Sequence, residues 1–115
     1  MAKVKKVKKL EPIFRYRVDD DIKGVIDVYA FDTVYNCYFV VTFTQAGPHD
    51  EKIYVCVSFK NAKGLVEYAY SKYATTTAYE PNPFKVLLND EQAMSSLQDI
   101  ITSVVEDEWW RERGE

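Results

Sequence analysis

The stretch that decides the fold is VYNCYFVVTFT at residues 34–44, followed by QAGPHDE at 45–51 and KIYVCVSFK at 52–60. β-Branched and aromatic residues dominate the two outer segments, which is typical of β-strands, and the middle segment collects turn-forming residues. The pattern therefore predicts a β-hairpin.

The two faces of this hairpin differ, because side chains alternate between faces along a strand. One face of the first arm is apolar, and we expect an apolar row of the second arm to match it; the two rows are Cys37, Phe39, Val41, Phe43 and Ile53, Val55, Val57, Phe59. The opposite face is mixed and carries Tyr38, Val40 and Thr42 with Tyr54 and Lys60. The apolar face needs a cover, and the mixed face is the first place to look for a binding surface.

Two further strands precede the hairpin. Residues 13–18 and 25–31 alternate apolar and polar side chains, and an acidic turn at 19–24 separates them. The sequence thus predicts a four-stranded antiparallel meander. Residues 84–88 predict a short fifth strand, whereas residues 62–74 fit a short helix as well as a strand.

Residues 90–112 show the clearest helical pattern. Asn89 is a suitable N-cap with Gln92 three residues later, and apolar residues recur at helical spacing at Met94, Leu97, Ile101, Val104 and Val105. This stripe is the natural cover for the apolar sheet face. The predicted fold class is α+β, an antiparallel sheet of four or five strands with a long C-terminal helix packed across one face.

Length and charge indicate one domain with a basic arm. The chain has 115 residues and a net charge of −3, but five lysines fall within the first nine residues. We expect residues 1–10 to be a disordered arm and residues 11–115 a single α+β domain. With no apolar signal segment, no run long enough to span a bilayer and only two cysteines, the sequence predicts a soluble cytoplasmic protein without a membrane partner.

The residues capable of catalysis do not form a recognisable motif. Asp19, Asp20 and Asp21 lack the further ligands of a calcium loop, and His49 is the sole histidine. Cys37 and Cys56 fall on opposite faces of the predicted hairpin and have no neighbouring base. We therefore predict no enzymatic activity, no metal and no cofactor.

Binding of single-stranded nucleic acid is the first functional hypothesis. Lysines can neutralise phosphates, and aromatic side chains on a sheet can stack with bases. The candidate residues are Lys3, Lys5, Lys6, Lys8 and Lys9 of the arm and Arg15, Arg17, Tyr38, Tyr54 and Lys60 of the sheet.

A local resemblance points in the same direction. FKVLLNDEQ at residues 84–92, leading into Met94 and Leu97, resembles the junction between the last strand and the helix of the positive-cofactor-four (Whirly-type) proteins. The resemblance implies a four-stranded antiparallel sheet that binds single-stranded DNA, followed by a helix that forms a dimer. It covers residues 84–97 only.

The alternative is an acidic protein-interaction module, an inhibitor or adaptor of phage or other viral origin. It would act through the C-terminal helix, where acidic residues surround two tryptophans at Glu106, Asp107, Glu108, Trp109 and Trp110. Tryptophan is a frequent hot-spot residue, and acidic side chains attract a basic partner. A homodimer formed through the long helix or its tryptophans is compatible with both hypotheses.

Overall fold

The structure is a computed structural model that describes residues 11–32, 37–47, 51–77 and 82–106. Four strands come first, β1 (Phe14–Asp19), β2 (Lys23–Asp32), β3 (Cys37–Gln45) and β4 (Glu51–Val57). Three helices follow, α1 (Ala62–Thr77), α2 (Pro83–Leu88) and α3 (Glu91–Glu106). The strands form one antiparallel sheet in chain order, which confirms the predicted meander and the α+β class.

The register of the central hairpin reverses the predicted faces of its second arm. Val41 lies opposite Tyr54, and Phe39 lies opposite Cys56. Opposite residues share a face, so Tyr54 and Cys56 are buried with the apolar row of β3. The expectation that Ile53, Val55 and Val57 would line the core was wrong, because the turn fixes the register and a shift of one residue exchanges the faces.

All three helices cover one face of the sheet, and we call this the core face. Its fully buried residues are Val18, Ile26, Val28, Phe39, Val41, Phe43 and Cys56 from the strands and Leu65, Val66, Ala69, Phe84, Leu87, Leu97 and Ile101 from the helices. The cover is thus shared between α1, α2 and α3, whereas the sequence assigned it to the C-terminal helix alone.

Phe84 of α2 stands at the centre of an aromatic cluster. Its ring centroid lies 5.6 Å from that of Tyr54, 5.9 Å from Tyr73 and 6.3 Å from Phe43, with steep interplanar angles of 86°, 68° and 69°. These edge-to-face contacts connect β3, β4 and α1 through one side chain.

The segment at 62–74, which the sequence left open, is helical and extends to Thr77. Asn61 caps it, since its side-chain Oδ1 accepts hydrogen bonds from the backbone N–H groups of Lys63 at 2.8 Å and Gly64 at 3.3 Å. Gln98 of α3 supports the same end, where its Oε1 accepts a bond from the Ala62 N–H at 2.7 Å and its Nε2 donates to the Lys60 carbonyl at 3.1 Å.

The predicted strand at 84–88 was wrong, because this segment is helix α2. Asn82 is the N-cap, and its Oδ1 accepts a bond from the Phe84 N–H at 3.0 Å while its Nδ2 donates to the Tyr70 carbonyl at 3.0 Å. Pro83 follows in the first helical turn, where proline is favoured. The sheet accordingly has four strands within the described residues, and a helix stands where the Whirly-type resemblance implied a strand.

The start of α3 also differs by one residue from the expectation. Asp90 is the residue that caps the helix, with its Oδ1 accepting the Ala93 N–H at 3.0 Å, and Asn89 instead ends α2. The same Asp90 carboxylate accepts a bond from the Tyr16 hydroxyl at 3.1 Å, so the cap also joins α3 to β1. The described helix ends at Glu106, and the predicted continuation to residue 112 lies outside the described residues.

Candidate interaction surface

The sheet face opposite the core, called here the open face, is the candidate functional surface. Within the described parts of the chain, the helices pack on the core face and not on this one, although its central residues Asp27 and Thr42 are buried. The strand registers assign to the open face Arg15, Arg17, Asp19, Lys23, Val25, Asp27, Tyr29, Phe31, Tyr38, Val40, Thr42, Thr44, Glu51, Ile53, Val55 and Val57.

The most exposed apolar part of the open face is an aliphatic row on β4. The exposed fractions are 58% for Ile53, 50% for Val55 and 54% for Val57, the largest among the big hydrophobic residues of the described chain. Large aliphatic side chains are seldom this exposed together unless something covers them in use.

Cross-strand rows extend this patch over the neighbouring strands. Val55 lies beside Val40, which lies beside Tyr29, so an apolar band crosses from β4 to β2. Val57 similarly lies beside Tyr38, whose ring stacks on Phe31 with centroids 5.3 Å apart and planes inclined by 14°. Cross-strand pairs of this kind hold side chains rigidly on a sheet.

A half-buried ion pair anchors the polar part of the open face. The Arg15 guanidinium donates to both carboxylate oxygens of Asp27, with Nε–Oδ1 at 2.7 Å and Nη2–Oδ2 at 3.3 Å. Asp27 is buried although it lies on the open face, whereas Arg15 is exposed. The Asp27 carboxylate raises the pKa of Arg15 through this bond. Burial, and then the charge of Asp27, raises the pKa of the adjacent Tyr29.

The open face has no net charge of its own. Three basic side chains, Arg15, Arg17 and Lys23, share it with three acidic ones, Asp19, Asp27 and Glu51. Lys23 is already paired with Asp19, with Nζ and Oδ1 3.1 Å apart. A polyanion would therefore meet a balanced surface here rather than a basic one.

The structure brings together only some of the residues predicted to bind nucleic acid. Arg15, Arg17 and Tyr38 lie on the open face, but the placement of Tyr54 there was wrong, because its ring is buried against Phe84. Lys60 is exposed beyond the end of β4. The arm residues Lys3, Lys5, Lys6, Lys8 and Lys9 lie outside the described residues.

Little of the predicted acidic interaction site falls in the described chain. Glu106 is exposed at the last residue of α3. Asp107, Glu108, Trp109 and Trp110 lie outside the described residues, as does His49.

The residues that sequence reasoning missed are Ile53, Val55 and Val57. No local signal gave their face, because it depends on the register, in which Thr44 pairs with Glu51 and all odd-numbered β4 residues lie on the open face. Composition does not show which residues pair across a loop, and so it does not show which residues of the second strand lie on which face.

Reactive groups do not gather in the part of the chain that the structure describes. Burial raises the pKa of the Cys56 thiol to about 12, so this cysteine is not a thiolate nucleophile at neutral pH. Residues 11–32, 37–47, 51–77 and 82–106 contain no group of three or more metal-ligating side chains. In the same ranges no helix has the length and apolar character needed to cross a membrane.

Comparison with known proteins adds no relative. No family model matches the chain, and neither a curated protein nor a solved structure matches it.

Proposed function

We propose that this protein is a non-catalytic binding protein whose open face receives a protein partner. The observation that carries the proposal is the exposure of Ile53, Val55 and Val57 on one rigid sheet, each at half or more of its surface. Contiguous exposed apolar surface of this kind is characteristic of protein interaction sites.

The chemistry of the open face favours a polypeptide over a nucleic acid. The apolar band from Val55 through Val40 to Tyr29 supplies a hydrophobic centre, and Arg17 and Glu51 supply a polar rim at one end. The complementary partner presents apolar side chains over the band and charged groups of both signs near that rim.

Photo-cross-linking tests the site directly. A benzophenone amino acid placed at Tyr29 or Val40 is expected to capture one protein in cells of the source organism, and the same probe at exposed Glu67 on α1 is not. Purified partner should then bind the unaltered chain and lose at least tenfold in affinity to Val40→Lys, because a charge enters the apolar band. Equal cross-linking from all three positions, or capture of nucleic acid alone, would refute the proposal.

Single-stranded nucleic acid is the second candidate ligand, and one contact favours it. The stacked rings of Phe31 and Tyr38 supply aromatic surface at one end of the open face, and Arg17 supplies a cation at the other end. Anisotropy of a labelled oligonucleotide at about 50 and about 200 mM salt separates the two cases. We expect weak binding that disappears with salt or with deletion of residues 1–10. Binding that persists at the higher salt and requires Tyr38 would replace the protein-partner proposal.

An interaction through residues 106–110, the acidic site predicted from the sequence, is a separate hypothesis. Its test is the Trp109→Ala/Trp110→Ala double variant. Cross-linking from Val40 that survives this change supports the open face, whereas loss of the captured partner would assign the interaction to residues 106–110.

A further inference from the structure

The two outer edges of the sheet are protected to very different degrees. β1 carries Arg15, Arg17 and Asp19 along its six residues, and charged side chains of this kind discourage pairing with another strand. β4 has no charged residue, proline or glycine from Ile53 to Val57. Natural sheets rarely leave such an edge bare, so β4 is the edge suited to pairing.

On the side away from β3, the backbone groups of β4 have no hydrogen-bond partner among the described residues. A strand bonds to one neighbour through alternate residues, and β3 is the neighbour of β4. Among the described residues, no other hydrogen bond reaches the backbone of Glu51–Val57. These N–H and C=O groups can therefore accept a further strand without breaking any bond described in the fold.

We infer that β4 pairs with β4 of a second copy of this chain. The two strands run antiparallel about a two-fold axis perpendicular to the sheet and join the two sheets into one of eight strands. The symmetry places both open faces on the same side of the assembly.

The sequence of β4 is complementary to itself in this arrangement. With Val55 at the axis, Val55 lies against its own equivalent, and Ile53 lies against Val57 of the partner subunit. All of these side chains are on the open face, where β-branched pairs across strands stabilise a sheet. Each half-exposed aliphatic row thereby gains cover from the other.

The charged residues around β4 favour the antiparallel orientation. The strand begins with Glu51 and Lys52, and Lys60 follows after Ser58, whose positive φ of 65° ends the extended backbone. A parallel pairing in register would align each of these charges with its own equivalent, whereas antiparallel pairing about Val55 keeps the equivalents apart. What favours a second copy over an unrelated strand is the aliphatic row of Ile53, Val55 and Val57, which is symmetric about Val55.

The interface is small. It covers one strand edge and three side chains per copy, which belongs to the class of weak, reversible contacts below about 1,200 Å² of total buried surface. We therefore expect a dimer that dissociates on dilution. The inference does not depend on the protein-partner proposal, because edge pairing shields only the flanks of Ile53, Val55 and Val57 and leaves Val40 and Tyr29 of the apolar band uncovered.

Sedimentation and amide exchange on the full chain test the inference together. We expect the weight-average mass to rise from monomer toward dimer with concentration. We also expect the β4 amides that point away from β3 to gain protection over the same range. Val55→Lys should abolish both effects, because two ammonium groups would meet at the axis, and Val25→Lys on β2 of the same face should retain them.

Three results would overturn the inference. A monomeric mass at every concentration is the first, and dimerisation without added protection of the β4 amides is the second. The third is a dimer as strong in a folded Val55→Lys variant as in the unaltered chain. Should Val55→Lys fail to fold, amide exchange on the unaltered chain decides the matter. If photo-cross-linking captures no partner while sedimentation and amide exchange show the dimer, the protein-partner proposal is refuted and the dimer stands.

Discussion

The ring of Phe84 makes three edge-to-face contacts in the core. It is fully buried and touches rings from β3, β4 and α1. We expect Phe84→Ala to lower the free energy of unfolding by about 3–5 kcal/mol, because the lost contacts leave a cavity. Urea denaturation measures the change, and Lys85→Ala, exposed on the next residue, should alter it by less than about 0.5 kcal/mol. A loss below about 1 kcal/mol for Phe84→Ala would contradict this role.

Tyr54 and Tyr16 form a matched pair for testing hydroxyl groups. The buried Tyr54 hydroxyl makes no hydrogen bond of good geometry in the described part of the chain, although the Thr76 side chain lies beside it, whereas the Tyr16 hydroxyl donates to Asp90 at 3.1 Å. Tyr54→Phe should raise the free energy of unfolding by about 1 kcal/mol, and Tyr16→Phe should lower it by a similar amount. Thermal and urea unfolding of both variants check the opposite signs, and equal signs would show that the Tyr54 hydroxyl has a partner after all.

Alkaline pH should weaken the fold through Cys56 and Tyr54. Burial raises the pKa of each to about 12, from ordinary values of 9.0 and 10.0. The unfolded chain releases these protons at lower pH than the folded one. The free energy of unfolding is therefore unaffected by these two groups below about pH 9. It declines by about 1.4 kcal/mol per pH unit for Cys56 above about pH 9, and by the same amount for Tyr54 above about pH 10, until the pH reaches about 12.

A variant that cannot titrate isolates the thiol. Cys56→Val keeps the site apolar, and we expect its free energy of unfolding to fall less steeply between about pH 9 and about pH 11 than that of the unaltered chain. Urea titrations across this range measure the slope. Identical slopes would show that Cys56 does not ionise on unfolding in the expected way.

At the scale of elements, local sequence patterns predicted where the strands lie, but not how β4 pairs with β3. The strands of the meander followed from alternation and turn residues, whereas residues 62–74 fitted a helix or a strand and the sequence left their helical state open. The face of β4 did not follow from such patterns, because it depends on how Thr44 meets Glu51 across a loop. The interaction surface could be predicted only as a mixed face with Tyr38, Val40 and Thr42, and its most exposed row was assigned to the core.

The helices after residue 80 show how two signals compete. Asn82 followed by Pro83 is a helix-start pattern, yet prolines also indicate a break, and the apolar run that follows fits a strand by composition. Burial favours the helix, because α2 places both Phe84 and Leu87 in the core. A five-residue segment carries too few turns for its periodicity to decide this alone.

The boundary between α2 and α3 yields a test at the same scale. Asp90 caps α3 through its side chain, whereas Asn89 ends α2 through its backbone N–H. Asp90→Ala should lower the free energy of unfolding by about 1–2 kcal/mol, because both the cap and the Tyr16 bond are lost. In the same urea titration, Asn89→Ala should lower the free energy of unfolding by well under half of the loss caused by Asp90→Ala. The reverse order would restore Asn89 as the cap.

For the whole molecule, the shared core predicts a single cooperative transition. All three helices and all four strands contribute to one continuous buried cluster. Far-ultraviolet circular dichroism and tyrosine fluorescence should therefore give coincident urea curves, and Phe84→Ala should shift both equally. Separate transitions for helix and sheet signals would show that the cover can leave while the sheet persists.

The order of the elements has a consequence for synthesis on the ribosome. The complete sheet lies upstream of Val57, and every described helix that shields its core face lies downstream. All four strands therefore emerge from the ribosome before the helices that cover their core face. Intermediates that expose apolar surface are prone to aggregate. A chaperone that binds nascent chains would therefore have the largest apolar surface to bind during this interval.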